Sequence, residues 1–322
     1  MKRFLLNLAR FLISFGVLGL LVYLIGVERI LRHFRHVNVG YMGVAMAIFV
    51  LIVALMTVRW HILLTNQKKS PGYLRLLIFY FIGFFFNNFL PTAIGGDISR
   101  AYYAAKSNGD TPTSIGSVVF ERILGVLATL TLASISMIWV ISSLAVSLVS
   151  MTALLFGGVV FALINLLNPM LFQFTNHLLA RITIFNIGEK INQVLSSIHV
   201  YRHNKSIILY GYLISITCQL LFVVMNFVLA KSLNLYNVTF SQLLLVVPAT
   251  FVLGLLPSVN GLGVRESGYV LFLTQIFQST TADQAIALSL LNTSVPVMIS
   301  LIGGVMLVFY RHKSDNGHVM KA

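Results

Sequence analysis

Long apolar runs separated by short polar segments dominate the chain. A helix needs about 20 consecutive apolar residues to cross hydrocarbon. Six stretches meet that length: Phe4 to Val27, Val39 to Val58, Ile115 to Ile141, Leu144 to Leu167, Ile207 to Ala230, and Ala285 to Tyr310. The first starts behind Lys2 and Arg3, as a signal peptide would. Its apolar stretch is too long for a cleaved signal and lacks a small-x-small cleavage site, so it is expected to stay as an anchor. Two further stretches break. Leu74 to Leu90 runs into Pro91 and then Gly95-Gly96-Asp97; Leu243 to Leu256 runs into Pro257 and then Gly261-Leu262-Gly263. Proline withholds an N–H and glycine loosens the backbone, so each stretch should stop partway through the bilayer. A second helical piece follows each break, Ile98 to Ala105 and Arg265 to Phe277. The pattern predicts an all-α polytopic membrane protein with eight hydrophobic segments: six full spans plus two re-entrant helical hairpins.

Composition agrees with that class. Hydrophobic residues make up 58% of the 322 and charged residues 9%, against the roughly 25% charged typical of soluble domains. Lys and Arg total 22 against 8 Asp and Glu, a formal charge of +14. The basic residues sit at the ends of apolar runs, which reads as the positive-inside signature and not as a nucleic-acid surface. Placing Lys2, Arg3 and Arg10 in the cytoplasm puts Arg59, Lys68, Lys69 and Arg75 there too. The segment from Asn168 to Lys205 follows, as does the tail with Arg311, Lys313 and Lys321. The outside then keeps Arg29, Arg32, Arg35, Lys231 and Arg265. The first three, at i, i+3 spacing, suggest a surface helix lying on headgroups. Leu178 to His203 is too polar to span. Ile187, Ile191, Val194, Leu195 and Ile198 share one helical face opposite Asn192, Gln193, Ser196 and Ser197, an interfacial amphipathic helix. The chain therefore reads as one membrane domain over 1–322. Its first half is 1–167, its linker 168–205, its second half 206–310 and its basic tail 311–322, with both termini cytoplasmic.

The two breaks resemble each other. Phe89-Leu90-Pro91-Thr92-Ala93-Ile94-Gly95-Gly96 aligns with Leu255-Leu256-Pro257-Ser258-Val259-Asn260-Gly261-Leu262. Proline precedes glycine by four positions in both, and Arg100 and Glu266 each follow the proline by nine. On the orientation above one hairpin enters from each side. Broken helices at matching positions of two inverted halves point to a transporter's binding site.

Eight acidic residues are few enough to weigh singly. Glu28, Glu189 and Asp315 fall in interfacial segments and read as solvated charges. Asp110 and Asp283 stand just before helices and read as caps. Asp97, Glu121 and Glu266 lie in or beside apolar segments, near Arg100, Arg122 and Arg265 respectively. A charge at membrane depth is costly unless paired or hydrated. One reading places the three arginines around a headgroup phosphate, their planar guanidinium groups offering paired donors, with the carboxylates orienting them or binding a cation or proton. The other makes these residues ion pairs that lock the hairpins to the bundle. Both readings stand for Asp97 with Arg100, while Glu121 fits the counter-charge role better. Gly95, Gly96, Gly261 and Gly263 offer backbone amides to a phosphate, or simply allow tight reversal and close packing. Asn87 and Asn88 read as caps of the first break.

Together these segments carry a resemblance. The stretch Asn88 to Arg100, then Phe120-Glu121-Arg122, then Leu256-Pro257 and Gly261 to Glu266, resembles the flippase-like membrane family. That family includes the membrane domain of bacterial lysylphosphatidylglycerol synthases. Arg59-Trp60 followed by Leu63-Leu64 fits the family's second-helix end. The resemblance covers nearly the whole chain. It implies a polytopic inner-membrane protein that handles amphiphilic lipids, with both broken-helix regions lining the path. On that basis Asn88, Pro91, Gly95, Gly96, Asp97, Arg100, Glu121, Arg122, Pro257, Gly261, Gly263, Arg265 and Glu266 are the expected substrate-binding set. The chain ends soon after Tyr310, so aminoacyl transfer is not implied, and a separate lipid-modifying enzyme is a partner this leaves room for.

Other chemistry is less well supported. No Walker A sequence, Gly-x-Ser-x-Gly elbow or His-Glu-x-x-His occurs. The histidines are scattered, and His33, His36, His199 and His203 read as solvated surface. Cys218 is the single cysteine, which excludes an internal disulfide and a cysteine metal cluster. The expectation is therefore a lipid flippase or transporter for an anionic phospholipid or polyprenyl-linked lipid, with no catalytic residue, cofactor or metal. Two alternatives remain. One is a glycosyltransferase using a polyprenyl-phosphate sugar, for which the first external loop offers only Glu28 and no Asp-x-Asp exists. The other is a non-transporting envelope-lipid scaffold.

Overall fold

A computed structural model describes residues 28, 33–35, 37–89, 95–138, 146–170, 173, 187–254 and 263–315. Every regular element among them is helical. In chain order these are α1 (Val39–Asn66), α2 (Tyr73–Phe89), α3 (Gly95–Asn108), α4 (Thr111–Ile138), α5 (Val146–Leu167), α6 (Ile187–His199), α7 (Lys205–Ser232), α8 (Phe240–Leu253), α9 (Val264–Val270) and α10 (Ala282–Asp315). The stretches Val39–Asn66, Thr111–Met137, Lys205–Ser232 and Ala282–Tyr310 are long and apolar enough to cross a membrane. The expected span Phe4 to Val27 lies outside the described residues, and the expected Leu144 to Leu167 span corresponds to the 22-residue α5.

Both interrupted stretches are short helices. At 17 and 14 residues, α2 and α8 rise roughly 25 and 21 Å, less than the roughly 30 Å of a bilayer core. Pro91, Pro257 and Gly261, to which the sequence assigns these breaks, lie outside the described residues. Each short helix packs antiparallel to the piece that follows. Phe79 stacks on Tyr103 near one end of the α2–α3 pair, and Asn87 meets Gly96 at the other. Gly268 of α9 lies against Thr250 and Leu253 of α8. After Val270 the chain widens into a π-helical turn, Leu271–Ile276, where Phe277 N–H reaches back to Phe272 O at 2.9 Å.

The core is built on α1 and α7, which run antiparallel. Asn38 N–H donates to Ser232 O at one end (3.0 Å), and the Tyr201 hydroxyl donates to Leu63 O at the other (3.2 Å). The α2–α3 pair opens at the Leu63 end, where Asn108 Nδ2 donates to Lys69 O (3.0 Å). The α8–α9 pair opens at the Ser232 end, so the two pairs face opposite ends of the bundle. Pro248 of α8 has no N–H for the Leu244 carbonyl four residues back. The Ser136 hydroxyl of α4 lies within reach of that carbonyl at 2.9 Å, its one proton shared with Leu132 O at 2.7 Å.

Local expectations met three corrections. Asp110 caps α4, accepting from Thr113 N–H at 3.0 Å, but Asp283 lies inside the first turn of α10. Thr281 precedes it, with Gln284 reaching back to the Thr281 N–H at 3.1 Å. Asp283 pairs with His33 at 2.8 Å, so His33 is a partly buried partner and not a solvated surface histidine. The linker helix α6 buries Ile198, with Val194 and Leu195 packed beside it against Leu63, Phe120, Leu124 and Tyr201. Ser197, assigned to its polar face, is buried too. Its hydroxyl sits between Val194 O (2.7 Å) and Pro112 O (3.1 Å) beside Gly116, where the absent Cβ leaves room.

Candidate functional site

Five charged side chains meet between α1, α3 and α4. Arg59 lies twenty residues into α1, after an uninterrupted apolar helix, and Arg100 lies in the second turn of α3. Glu121 lies in the third turn of α4 with no exposed surface. Its Oε1 accepts from Arg59 Nε at 3.1 Å and Nη2 at 2.8 Å, and also from the Tyr80 hydroxyl. Its Oε2 accepts from Arg100 Nη1 at 2.5 Å. Arg100 turns its Nε and Nη2 to Asp97 Oδ1, at 3.0 and 2.9 Å. Asp97 Oδ2 in turn holds Arg122 Nη2 at 2.5 Å.

This geometry decides what each group can do. Arg100 is buried, with its guanidinium carbon 4.5 Å from the Tyr80 ring centre and 5.2 Å from Trp60. Its Nε, Nη1 and Nη2 are all engaged by carboxylates, so it acts as a tie between the short pair and α4. Arg59 completes the buried end, donating from Nη1 to Ser215 Oγ of α7 at 2.6 Å. Arg122 is different: its side chain is 48% exposed. Three arginines face two carboxylates, which leaves one net positive charge, and Arg122 is where that charge reaches the surface.

The helix break builds the same site. Asn87 Oδ1 accepts from Gly96 N–H at 2.8 Å and so caps the start of α3 from the facing helix, as the sequence suggested for Asn87. A Cβ on Gly96 would fall 2.2 Å from Gly83 O and 2.6 Å from Asn87 Cγ, so the close pairing of α2 and α3 requires glycine there. Gly95 opens α3, and Asn88 Nδ2 donates to Pro296 O of α10 at 3.4 Å.

A second polar cluster occupies the α8–α9 half. Gly263, at φ +82°, precedes α9, and its N–H donates to Glu266 Oε2 at 2.6 Å. The buried Glu266 also accepts from Ser289 Oγ at 3.3 Å. Beyond it, the Tyr269 hydroxyl donates to Asn226 Oδ1 (2.7 Å) and accepts from Asn292 Nδ2 (3.3 Å). Ser215 of the first cluster and Asn226 of the second are eleven residues apart on α7, a rise of roughly 16 Å. The expected set is thus divided. Asp97, Arg100, Glu121 and Arg122 come together, while Arg265 and Glu266 belong to the other pair, Arg265 lying half-buried at the start of α9.

Sequence reasoning missed Arg59, placing it at the cytoplasmic boundary, and did not single out Tyr80 or Ser215. One signal was available for Arg59: apolar residues resume at Ile62-Leu63-Leu64, so the arginine sits within its run and not at its end. Among the described residues no group of three His, Cys, Asp or Glu side chains is placed to hold a metal ion.

A UPF0104 membrane protein of Methanothermobacter thermautotrophicus is 30% identical over 146 residues, covering 42% of this chain and 41% of that protein. UPF0104 membrane proteins of Pyrococcus horikoshii and Methanocaldococcus jannaschii are 26% and 27% identical over 130 and 111 residues. They cover 39% and 34% of this chain, and 38% and 32% of the respective relatives. The chain thus spans about two fifths or less of the length of the curated relatives it matches. No solved structure matches it significantly. The pattern that defines the lysylphosphatidylglycerol synthase TM region matches residues 7–304. That match takes in both helical pairs and both polar clusters, and the chain, a helical membrane protein, belongs to this family.

Proposed function

We propose that this protein is a lipid flippase or lipid transporter for an amphiphilic, anionic phospholipid or polyprenyl-linked lipid in the cell inner membrane. On this reading α2–α3 and α8–α9 are re-entrant hairpins of an inverted repeat, and both chain termini face the cytoplasm. The headgroup passes a polar cleft between the hairpins while the acyl tails stay in hydrocarbon.

The observation that carries the reading is the charge network at the tip of the α2–α3 pair. All three of its arginines touch carboxylates, but Arg59 and Arg100 are buried, whereas Arg122, held by Asp97 alone, is half-exposed. Such an arrangement is costly at membrane depth unless it serves a polar ligand or path. Arg122 would exchange its Asp97 contact for a headgroup phosphate, since a guanidinium fork matches either anion. Arg59 and Arg100 hold the carboxylates in place.

The test is lipid translocation in proteoliposomes, using a fluorescent phosphatidylglycerol analogue and a membrane-impermeant quencher. Arg122→Gln should slow translocation roughly tenfold or more, about the worth of one charge-assisted contact, with unchanged thermal stability. Translocation at the wild-type rate by this variant would defeat the proposal.

A further inference from the structure

At the mouth of the α2–α3 pair, some distance along the chain from the charge network, lies an open cavity of about 710 Å³. Lys68, Lys69, Ser70, Gly72, Arg75 and Ser107 are among its lining residues. Three of these carry positive charge, and the Asp110 carboxylate offsets only one of them, at 3.8 Å from Lys69 Nζ. Leu74, 72% exposed, stands beside the basic residues, so the same spot offers cations and an apolar contact.

Loop geometry adds an independent observation. The turn after α1 closes as a Schellman motif: Lys69 N–H donates to Leu64 O (3.0 Å) and Lys68 N–H to Thr65 O (2.9 Å). Lys68 occupies the left-handed position of that motif, at φ +54°, where glycine is the residue without strain. A lysine there costs local stability, and Lys68 is one of the residues that line the cavity. Asn108 secures the opposite wall by donating to Lys69 O at 3.0 Å.

We propose that this cavity is a docking site for a phosphate-bearing anion, separate from the Arg122 network. The ligand is either the headgroup of an anionic lipid, its tails lying along Leu74, or a soluble phosphate ester of the same headgroup. The inference concerns binding alone and does not depend on translocation.

The full chain in phosphatidylcholine nanodiscs tests it, titrated by calorimetry with three probes: dioctanoyl phosphatidylglycerol, glycerol 3-phosphate and dioctanoyl phosphatidylcholine. The Lys68→Gly/Arg75→Gln double variant should lose roughly tenfold or more in affinity for the anionic probe. Its melting temperature should be unchanged or higher, because glycine relieves the left-handed strain. Lys205→Gln, which removes an exposed lysine that does not line the cavity, should bind as wild type. Preference for the dioctanoyl lipid identifies the lipid as the source, and equal binding of glycerol 3-phosphate identifies a soluble ester; either supports the site. Wild-type binding of phosphatidylcholine as tight as of phosphatidylglycerol, or a double variant with undiminished affinity, overturns it.

Discussion

Glu121→Gln keeps the side chain's volume and removes one negative charge from a position with no exposed surface. The wild-type carboxylate accepts from Arg59 Nε and Nη2, Arg100 Nη1 and the Tyr80 hydroxyl. Glutamine retains one oxygen but turns the other position into an N–H donor, which must face an arginine N–H. Arg100 keeps Asp97 on its Nε and Nη2, whereas Arg59 keeps the Ser215 hydroxyl. Breaking a buried pair from one side costs about 3–5 kcal/mol, because a desolvated charge is left behind. The surviving Asp97 contact puts this case near the lower figure, about 3 kcal/mol. A loss of that size lowers the melting temperature by on the order of 10 °C. The assay is the monodisperse fraction recovered after heating detergent-purified protein. Arg59→Met/Glu121→Leu, which removes the carboxylate and one of its two buried arginines while Arg100 keeps Asp97, should recover part of the loss, since apolar replacement of a pair is often near neutral. A single variant melting within about 2 °C of wild type would refute the claim that this carboxylate holds two buried arginines.

Two further predictions concern the helix interruptions. Ser136→Ala removes the hydroxyl that the Leu244 carbonyl shares with Leu132 O, and should cost about 1 kcal/mol of thermal stability; in a Pro248→Ala background, where an N–H is restored within the helix, the same change should cost less, and equal costs in both backgrounds would break the argument. Gly96→Ala drives a methyl group into Gly83 O and Asn87, at about 1–3 kcal/mol for overpacking, and should lower both melting temperature and folded yield, whereas wild-type values for both would show that α2 and α3 do not pack as described.

Much of the fold was legible because it rests on one-dimensional signals. Uninterrupted apolar length marked α1, α4, α7 and α10, and interruption by proline and glycine marked the ends of α2 and α8. Polar residues beside those interruptions told of local caps, and Asn87 and Asp110 do cap α3 and α4. Proximity in sequence also brought Asp97, Arg100 and the Glu121-Arg122 pair under one heading. The misreadings were of another kind. Arg59 looked like a boundary charge because its counter-charge lies sixty-two residues away on α4, and nothing local announces it. His33 looked solvated for the same reason, its partner being two hundred and fifty residues on. Ser197 looked exposed because the helical wheel of α6 does not know that Gly116 leaves a recess for it.

The sequence alone therefore determined that this chain belongs in a membrane, where α1, α4, α7 and α10 run and where α2 and α8 stop. Each of those follows from transfer free energy and backbone hydrogen bonding, which act residue by residue along the chain. Only the tertiary structure decided which arginines are spent. Arg59 and Arg100 are tied down by Glu121 and Asp97, and Arg122 is left at the surface. That division depends on the packing of α1, α3, α4 and α7, since whether a buried charge is neutralised or available is settled by what lies within about 3 Å of it in space.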